Sequence, residues 1–184
     1  NKNNLLSFKV LDAQEINFQQ QFDLVTSFFC LQWVPDKQLA FNNIFSALLP
    51  GGSFHMVTPL PHDILPIIRS NLINSERWRS QFTDYIDPLS YIHDIQYEAY
   101  AVKAGFHSVI YKEASEVMRL NSYQEFYDFM SQMTPCLVNL SCEEDKKAFI
   151  TQLIDKYVMY LPPDESGCYC LEFTSMQLQA SRAK

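Results

Sequence analysis

The stretch Phe22-Asp-Leu-Val-Thr-Ser-Phe-Phe-Cys-Leu-Gln-Trp-Val-Pro-Asp36 decides how the chain is read. Leu24 and Val25 lead into Thr26 and Ser27, a short apolar and β-branched run that suits a central parallel strand buried on both faces. Phe28, Phe29, Leu31 and Trp33 then crowd a connection that is ordinarily polar. Loops leaving the carboxyl ends of parallel strands are where open α/β sheets hold their ligands. These aromatic residues therefore either cap a core or wall a pocket.

On the carboxyl side, Asp36 is placed to cap a helix running through Leu49. Phe41, Ile44, Phe45 and Leu48 recur along it at helical spacing and give it one apolar face. Pro50-Gly51-Gly52 stops that helix. Phe54–Thr58 is the next strand, closed by Pro59 and Pro61, so strand, helix and strand form one parallel crossover. On the amino side, Leu5–Val10 reads as a strand that runs out into Asp12, a turn or helix-cap position.

Farther along, residues 62–92 are irregular and rich in aromatics, with short helices predicted over Ile64–Leu72 and Ser75–Phe82. A helix follows over Asp94–Ala104 with Gly105 as its stop, then a strand over Phe106–Lys112. Ser122-x-x-Glu125 and Ser141-x-x-Glu144 are capping boxes that open two more helices, the second ended by Pro162-Pro163. Cys168–Leu178 is a last strand with a phase slip near Ser175. The reading is a single domain over 1–184, in which 62–92 and 114–163 are helical cover.

With 184 residues, of which 47% are apolar, the chain is long enough for one sizeable core. A net charge of −7 without a Lys/Arg cluster argues against nucleic acid and against an anionic membrane surface as partners. No apolar run reaches the length of a membrane span, and no secretory signal opens the chain. Cysteines at 30, 136, 142, 168 and 170 fit neither an even disulfide framework nor a zinc spacing. The expectation is a cytoplasmic protein with buried, reduced thiols and no metal.

Taken in order, four motifs resemble the class I S-adenosylmethionine-dependent methyltransferases. They are Asp12-Ala13, Phe22-Asp-Leu-Val with Leu31-Gln-Trp-Val-Pro-Asp36, Leu48-Leu-Pro-Gly-Gly52, and Ala104-Gly-Phe106. Within that family Thr26–Val34 is most similar to the juvenile hormone acid methyltransferases, and also to the trans-aconitate and malonyl-carrier O-methyltransferases. The resemblance implies an α/β, Rossmann-like sheet with a helical insertion and an antiparallel last strand. It implies S-adenosyl-L-methionine as cofactor and a small-molecule carboxylic acid as substrate. Family members also carry a Gly-x-Gly-x-Gly strand and a second strand ending in an acid, and the four glycines here lie elsewhere. The sheet is therefore expected to be N-terminally incomplete, with the strand at 22–27 turned into an apolar edge. A homodimer or strand exchange through that edge is the expected consequence.

By the same resemblance Asp12 accepts from the adenine amino group and the Ala13 backbone donates to the ring. Ser27, Phe28 and Phe29 lie near the methionine moiety. Gln32 and Trp33 offer neutral N–H donors for a substrate carboxylate, with His62 within reach of substrate. A carboxylate is already ionised at neutral pH and needs no general base, so no catalytic acid–base pair is expected. Core roles for Phe28, Phe29 and Trp33, and a solvated loop role for His62, stand beside these readings. Trp78, Phe82, Tyr85, Tyr91, Tyr97 and Tyr100 either wall an apolar substrate tail or simply pack. The rival functions are a catalytically incompetent methyltransferase-like association module, and methylation of an amine or of carbon on the same fold.

Overall fold

β1 (Phe22–Phe28) leads through a single 3-10 turn (Leu31–Trp33) into α1 (Lys37–Ala47), and β2 (Leu48–Pro59) returns beside β1. The computed structural model describes residues 6–60, 64–87 and 94–184. In these, α2 (Ile64–Ile73), α3 (Asp94–Ala104), β3 (His107–Leu120), α4 (Tyr123–Gln132), α5 (Glu143–Tyr160) and β4 (Tyr169–Ser181) follow in order. The four strands make one sheet in the order β1-β2-β4-β3. β1 pairs with β2 in parallel, from Leu24 opposite Ser53 to Phe28 opposite Val57. β4 runs against β2, because Arg182 donates its N–H to the Gly52 carbonyl at 2.9 Å while Leu60 donates to Thr174 at 2.8 Å. The α/β class and the antiparallel last strand are both as expected.

The described residues fall into two compact units. The first holds the residues up to Thr58, α3, β3 as far as Lys112, and Met176–Lys184. Its core is built on α1 and α3 against the Phe54 and Met56 face of β2. Phe41 meets Phe54 edge-on at 5.5 Å, and Phe45 meets Phe106 edge-on at 5.1 Å. Tyr97 and Tyr100 also pack on Phe41, with ring centres 6.4 and 6.1 Å away. Asp36 caps α1 as expected, accepting from the Leu39 N–H at 2.9 Å.

Helix α1 stops at Ala47 rather than Leu49, because Leu48 is already extended and begins β2. Its end is closed by a contact invisible in the local sequence. Arg182 donates to the carbonyls of Phe45 at 2.9 Å and Leu48 at 2.8 Å, with its guanidinium 4.7 Å from the Phe45 ring. A cation on the last carbonyls complements both their unmet acceptors and the helix dipole. Gly105 ends α3 with φ +105; Phe106 N–H reaches Ala101 O at 3.1 Å and Gly105 N–H reaches Val102 O at 3.0 Å. That pair of bonds is a Schellman cap.

The second unit takes the described residues from Pro59 to Asp87 together with Glu113–Ser175, and so gathers both segments read as helical cover. Trp78, Phe82, Phe126, Phe149 and Tyr157 are buried together with Ile150, Leu153 and Ile154 of α5. The Trp78 indole N–H donates to Gln152 Oε1 at 2.9 Å. Trp78 and Phe82 are thus core packing, while Tyr91 lies outside the described residues. Arg69 is buried and paired with Asp87 at 2.6 Å. Near them burial, and then the Asp87 charge, raise the Tyr85 phenol, and burial pushes the Cys136 thiol up to about 12.

Several expectations are corrected. Residues 6–10 form no strand, and Leu6, Phe8 and Val10 are exposed. A strand forms only where a neighbour answers its backbone donors and acceptors. β1 is not buried on two faces; it is the sheet edge, with Phe22, Leu24 and Phe28 exposed, as the incomplete-sheet reading requires. Ser75–Phe82 contains only a 3-10 turn at Arg79–Gln81, since Ser75 turns the chain by bonding back to Leu72 O at 2.7 Å.

The Ser122 box forms, but the Glu125 carboxylate accepts from the Asn121 N–H at 2.7 Å rather than from Ser122. At the second box Cys142, not Ser141, is the cap, so α5 starts at Glu143 with three acids in its first turn. The phase slip in β4 is present: Leu171 and Ser175 are buried, and then Met176, Leu178 and Ala180. Among the five free cysteines only Cys136 is buried, and Cys30 is exposed.

Candidate cofactor and substrate site

The site is built at the carboxyl end of β1. Strand alternation and the parallel register put Ser27 on the face of Phe54 and Met56, and Phe28 on the opposite face with Thr26, His55 and Val57. The Ser27 hydroxyl is buried and has no hydrogen-bond partner among the described residues. Phe28 is 63% exposed and Phe29 45% exposed, so neither is core filler. Phe29 has φ +47, a left-handed conformation unusual for an aromatic residue. Its N–H is held by Val57 O at 2.9 Å.

The aromatic turn follows. Trp33 N–H bonds to Cys30 O at 3.0 Å and Val34 N–H to Leu31 O at 3.2 Å, while Leu31 and Val34 anchor the turn by burial. Between them Gln32 is only 1% exposed, and its Oε1, an acceptor, has no partner among the described residues. Trp33 is half-buried.

Asp12 and Ala13 are brought to the same region by two residues that sequence reasoning missed. Asp12 Oδ1 accepts from Gln14 N–H at 2.7 Å. The Gln14 side-chain oxygen accepts the Asp36 N–H at 3.1 Å, and Asn43 Nδ2 holds the carbonyls of Ala13 at 3.3 Å and Gln14 at 2.9 Å. The Asp12–Glu15 turn is thereby fastened to the start of α1, at the exit of the aromatic turn. Asp12 is both the turn cap and an exposed carboxylate. His62 lies outside the described residues.

A third residue also escaped the sequence reading. Lys37 is 4% exposed, and its ammonium donates to Val34 O at 3.0 Å. Burial lowers its pKa. The signal was present in the pattern, since Lys37 precedes Phe41, Ile44 and Ala47 on the stripe that α1 turns inward. Among the described residues no group of three His, Cys, Asp or Glu is placed to hold a metal ion, and no helix is long and apolar enough to cross a membrane.

Known proteins share the sequence pattern and the fold. The profile of a methyltransferase domain matches residues 1–56. Protein 235L of Invertebrate iridescent virus 6, a methyltransferase by name, is 30% identical over 156 residues, which are 85% of this chain and 58% of that protein. Juvenile hormone acid O-methyltransferase of Bombyx mori is 34% identical over 92 residues, 48% of this chain and 32% of that protein. A Bacillus halodurans structure described as a methyltransferase covers 94% of this chain and 70% of its own, with a TM-score of 0.55 at 15% identity.

The fold is that of a class I methyltransferase. The resemblance read from the ordered motifs is borne out. The same fold is shared by the cyclase SpnF, at a TM-score of 0.53 and 13% identity over 98% of this chain and 57% of that one. Fold therefore does not by itself fix the reaction, and the argument for one must come from the site. The chain spans 58% and 32% of the two curated relatives.

Proposed function

We propose that this protein is an S-adenosylmethionine-dependent O-methyltransferase whose substrate is a carboxylic acid with an apolar body. The observation that carries the reading is the aromatic turn that leaves β1, where the buried Gln32 and the half-buried Trp33 stand side by side. Both side chains carry neutral N–H donors, the groups that suit a carboxylate whose charge is lost on methylation. The relative named for acid O-methylation supports the same substrate class.

The residues present fit the cofactor. Ser27 has a buried hydroxyl awaiting a partner, Phe28 and Phe29 offer exposed aromatic faces at the end of β1, and Asp12 presents a carboxylate at a fastened turn. When bound, S-adenosylmethionine supplies an electrophilic methyl group on a sulfonium. The protein's task is to align the attacking carboxylate oxygen and exclude water. Gln32 and Trp33 orient the carboxylate through neutral N–H donors, and the already ionised group attacks without a base.

The test is calorimetric titration with S-adenosylmethionine, followed by transfer of a labelled methyl group to apolar acids and to apolar amines. Acids are expected to be methylated, with Trp33→Phe losing about 1–3 kcal/mol of transition-state stabilisation. Methylation of amines alone, indifferent to Trp33→Phe, would sink the reading. An association module is the second reading, favoured by the exposed apolar edge at β1. Under either reading the edge pairs with a second copy, and the location is cytoplasmic, which the five free thiols support.

A further inference from the structure

The sheet has a second open edge. β3 stands at the far end of the order β1-β2-β4-β3, so among the described residues β4 is its one strand neighbour. It is 14 residues long, and Ile110, Tyr111, Lys112, Glu116 and Val117 are all exposed on it. A long edge with exposed apolar side chains is a template for another strand. Charges on an edge ordinarily discourage such pairing, but Lys112 and Glu116 are of opposite sign, lie on one face, and make no ion pair among the described residues. The direction of the backbone is also fixed. Ser175 Oγ of β4 donates to the Ala114 carbonyl at 3.5 Å, so the backbone groups of Ala114 are turned toward β4. Those groups alternate in direction along an antiparallel strand, so Tyr111, Glu113, Ser115 and Val117 present theirs to the open side.

We propose that β3 pairs antiparallel with β3 of a second copy of this chain, about a two-fold axis at Ala114. Residues equally distant from Ala114 then stand opposite one another. Lys112 faces the partner's Glu116, and Glu116 faces the partner's Lys112. Tyr111 meets the partner's Val117, and Ile110 meets the partner's Met118, aromatic and aliphatic pairs of the kind that stabilise neighbouring strands. Glu113 and the partner's Ser115 exchange backbone hydrogen bonds through the groups that face outward. The Lys112–Glu116 pairs and the Ala114 self-pair fall at non-hydrogen-bonded positions, where side chains approach most closely and a small residue suits the axis. No like charges stand directly opposite in this register. An axis at Lys112, Glu113 or Glu116 would set like charges against each other, and one at Ser115 would leave Lys112 opposite Met118. The interface is isologous and closes at a dimer. It is distinct from the edge at β1, and it does not depend on the reaction proposed above.

The decisive experiment is sedimentation equilibrium of the full chain carrying Leu24→Lys, which places a charge on the β1 edge and leaves β3 as the open one. This protein is expected to form a dimer. Lys112→Glu alone and Glu116→Lys alone should each weaken it about tenfold or more, since each turns both attractive pairs into repulsive ones. The double variant Lys112→Glu with Glu116→Lys restores opposite charges in reversed order, and should bring the affinity back to within about threefold. Thermal melting of each variant checks that it is folded. Amide hydrogen exchange supplies a reading without substitution in β3: exchange at Glu113 and Ser115 should slow as the Leu24→Lys protein is concentrated. A Leu24→Lys protein that stays monomeric, a double reversal that fails to restore the dimer, or exchange at these two amides that does not change with concentration would each overturn the proposal.

Discussion

Lys37 shows how the burial of one charged residue makes stability depend on pH. Its ammonium is desolvated, which lowers its pKa in the folded state from the ordinary 10.5. Below the folded value the lysine is charged in both states, and the fold bears the whole desolvation cost. Above 10.5 it is neutral in both, and the cost is gone. Stability owed to this group is therefore present above 10.5 and lost as pH falls through the folded pKa. Compared by urea unfolding, the wild type should gain on Lys37→Met as pH rises from neutral to about 10.5. A stability difference that stays constant over this range would show that the ammonium is not desolvated. Gly105 is the opposite case, a residue fixed by space and backbone. At φ +105 an added Cβ would sit 3.0 Å from the Phe45 ring, so Gly105→Ala should cost about 1–3 kcal/mol in the same assay.

Among the elements, β1 departs furthest from what its composition suggests. Its run from Leu24 to Phe28 has the character of an interior strand, yet it forms the sheet edge with Phe22, Leu24 and Phe28 exposed. An exposed apolar edge offers unpaired backbone groups and is a template for another strand. Sedimentation equilibrium is expected to show concentration-dependent association, and Leu24→Lys should weaken it about tenfold or more by putting like charges at the shared edge. A protein that stays monomeric at all concentrations would remove the edge from consideration as an interface. The helices follow their local signals more faithfully. Asp36, Ser122 and Gly105 each cap where their residue type predicts, while the cap of α5 slips by one residue to Cys142.

For the whole molecule, thiol chemistry provides a test of packing. Cys136 is fully buried in the core of the second unit, with its thiol pushed up to about 12, whereas Cys30 is exposed beside the aromatic turn. The reactive species is the thiolate, so Cys30 should be labelled rapidly by an alkylating reagent at neutral pH. Cys136 should react only on unfolding, slower by about two orders of magnitude or more. Labelling of both at one rate, followed by peptide mass spectrometry, would contradict the core described for this unit.

The order of strands and helices and the α/β class were legible in the sequence, because periodicity, helix caps and glycine stops act over a few residues. So was the class I methyltransferase resemblance, because its motifs keep their order along the chain. Only the tertiary structure decided that Leu6–Val10 stays irregular, since whether a strand forms depends on a neighbour that local sequence cannot specify. Only packing decided that Trp78 is core, that Arg182 closes α1 from the far end of the chain, and that Gln14 and Asn43 fasten the Asp12 turn. The burial of Lys37 likewise came from long-range contacts. Charge and burial are set by whatever the chain folds against, and that information is distributed over the whole sequence rather than held at any one position.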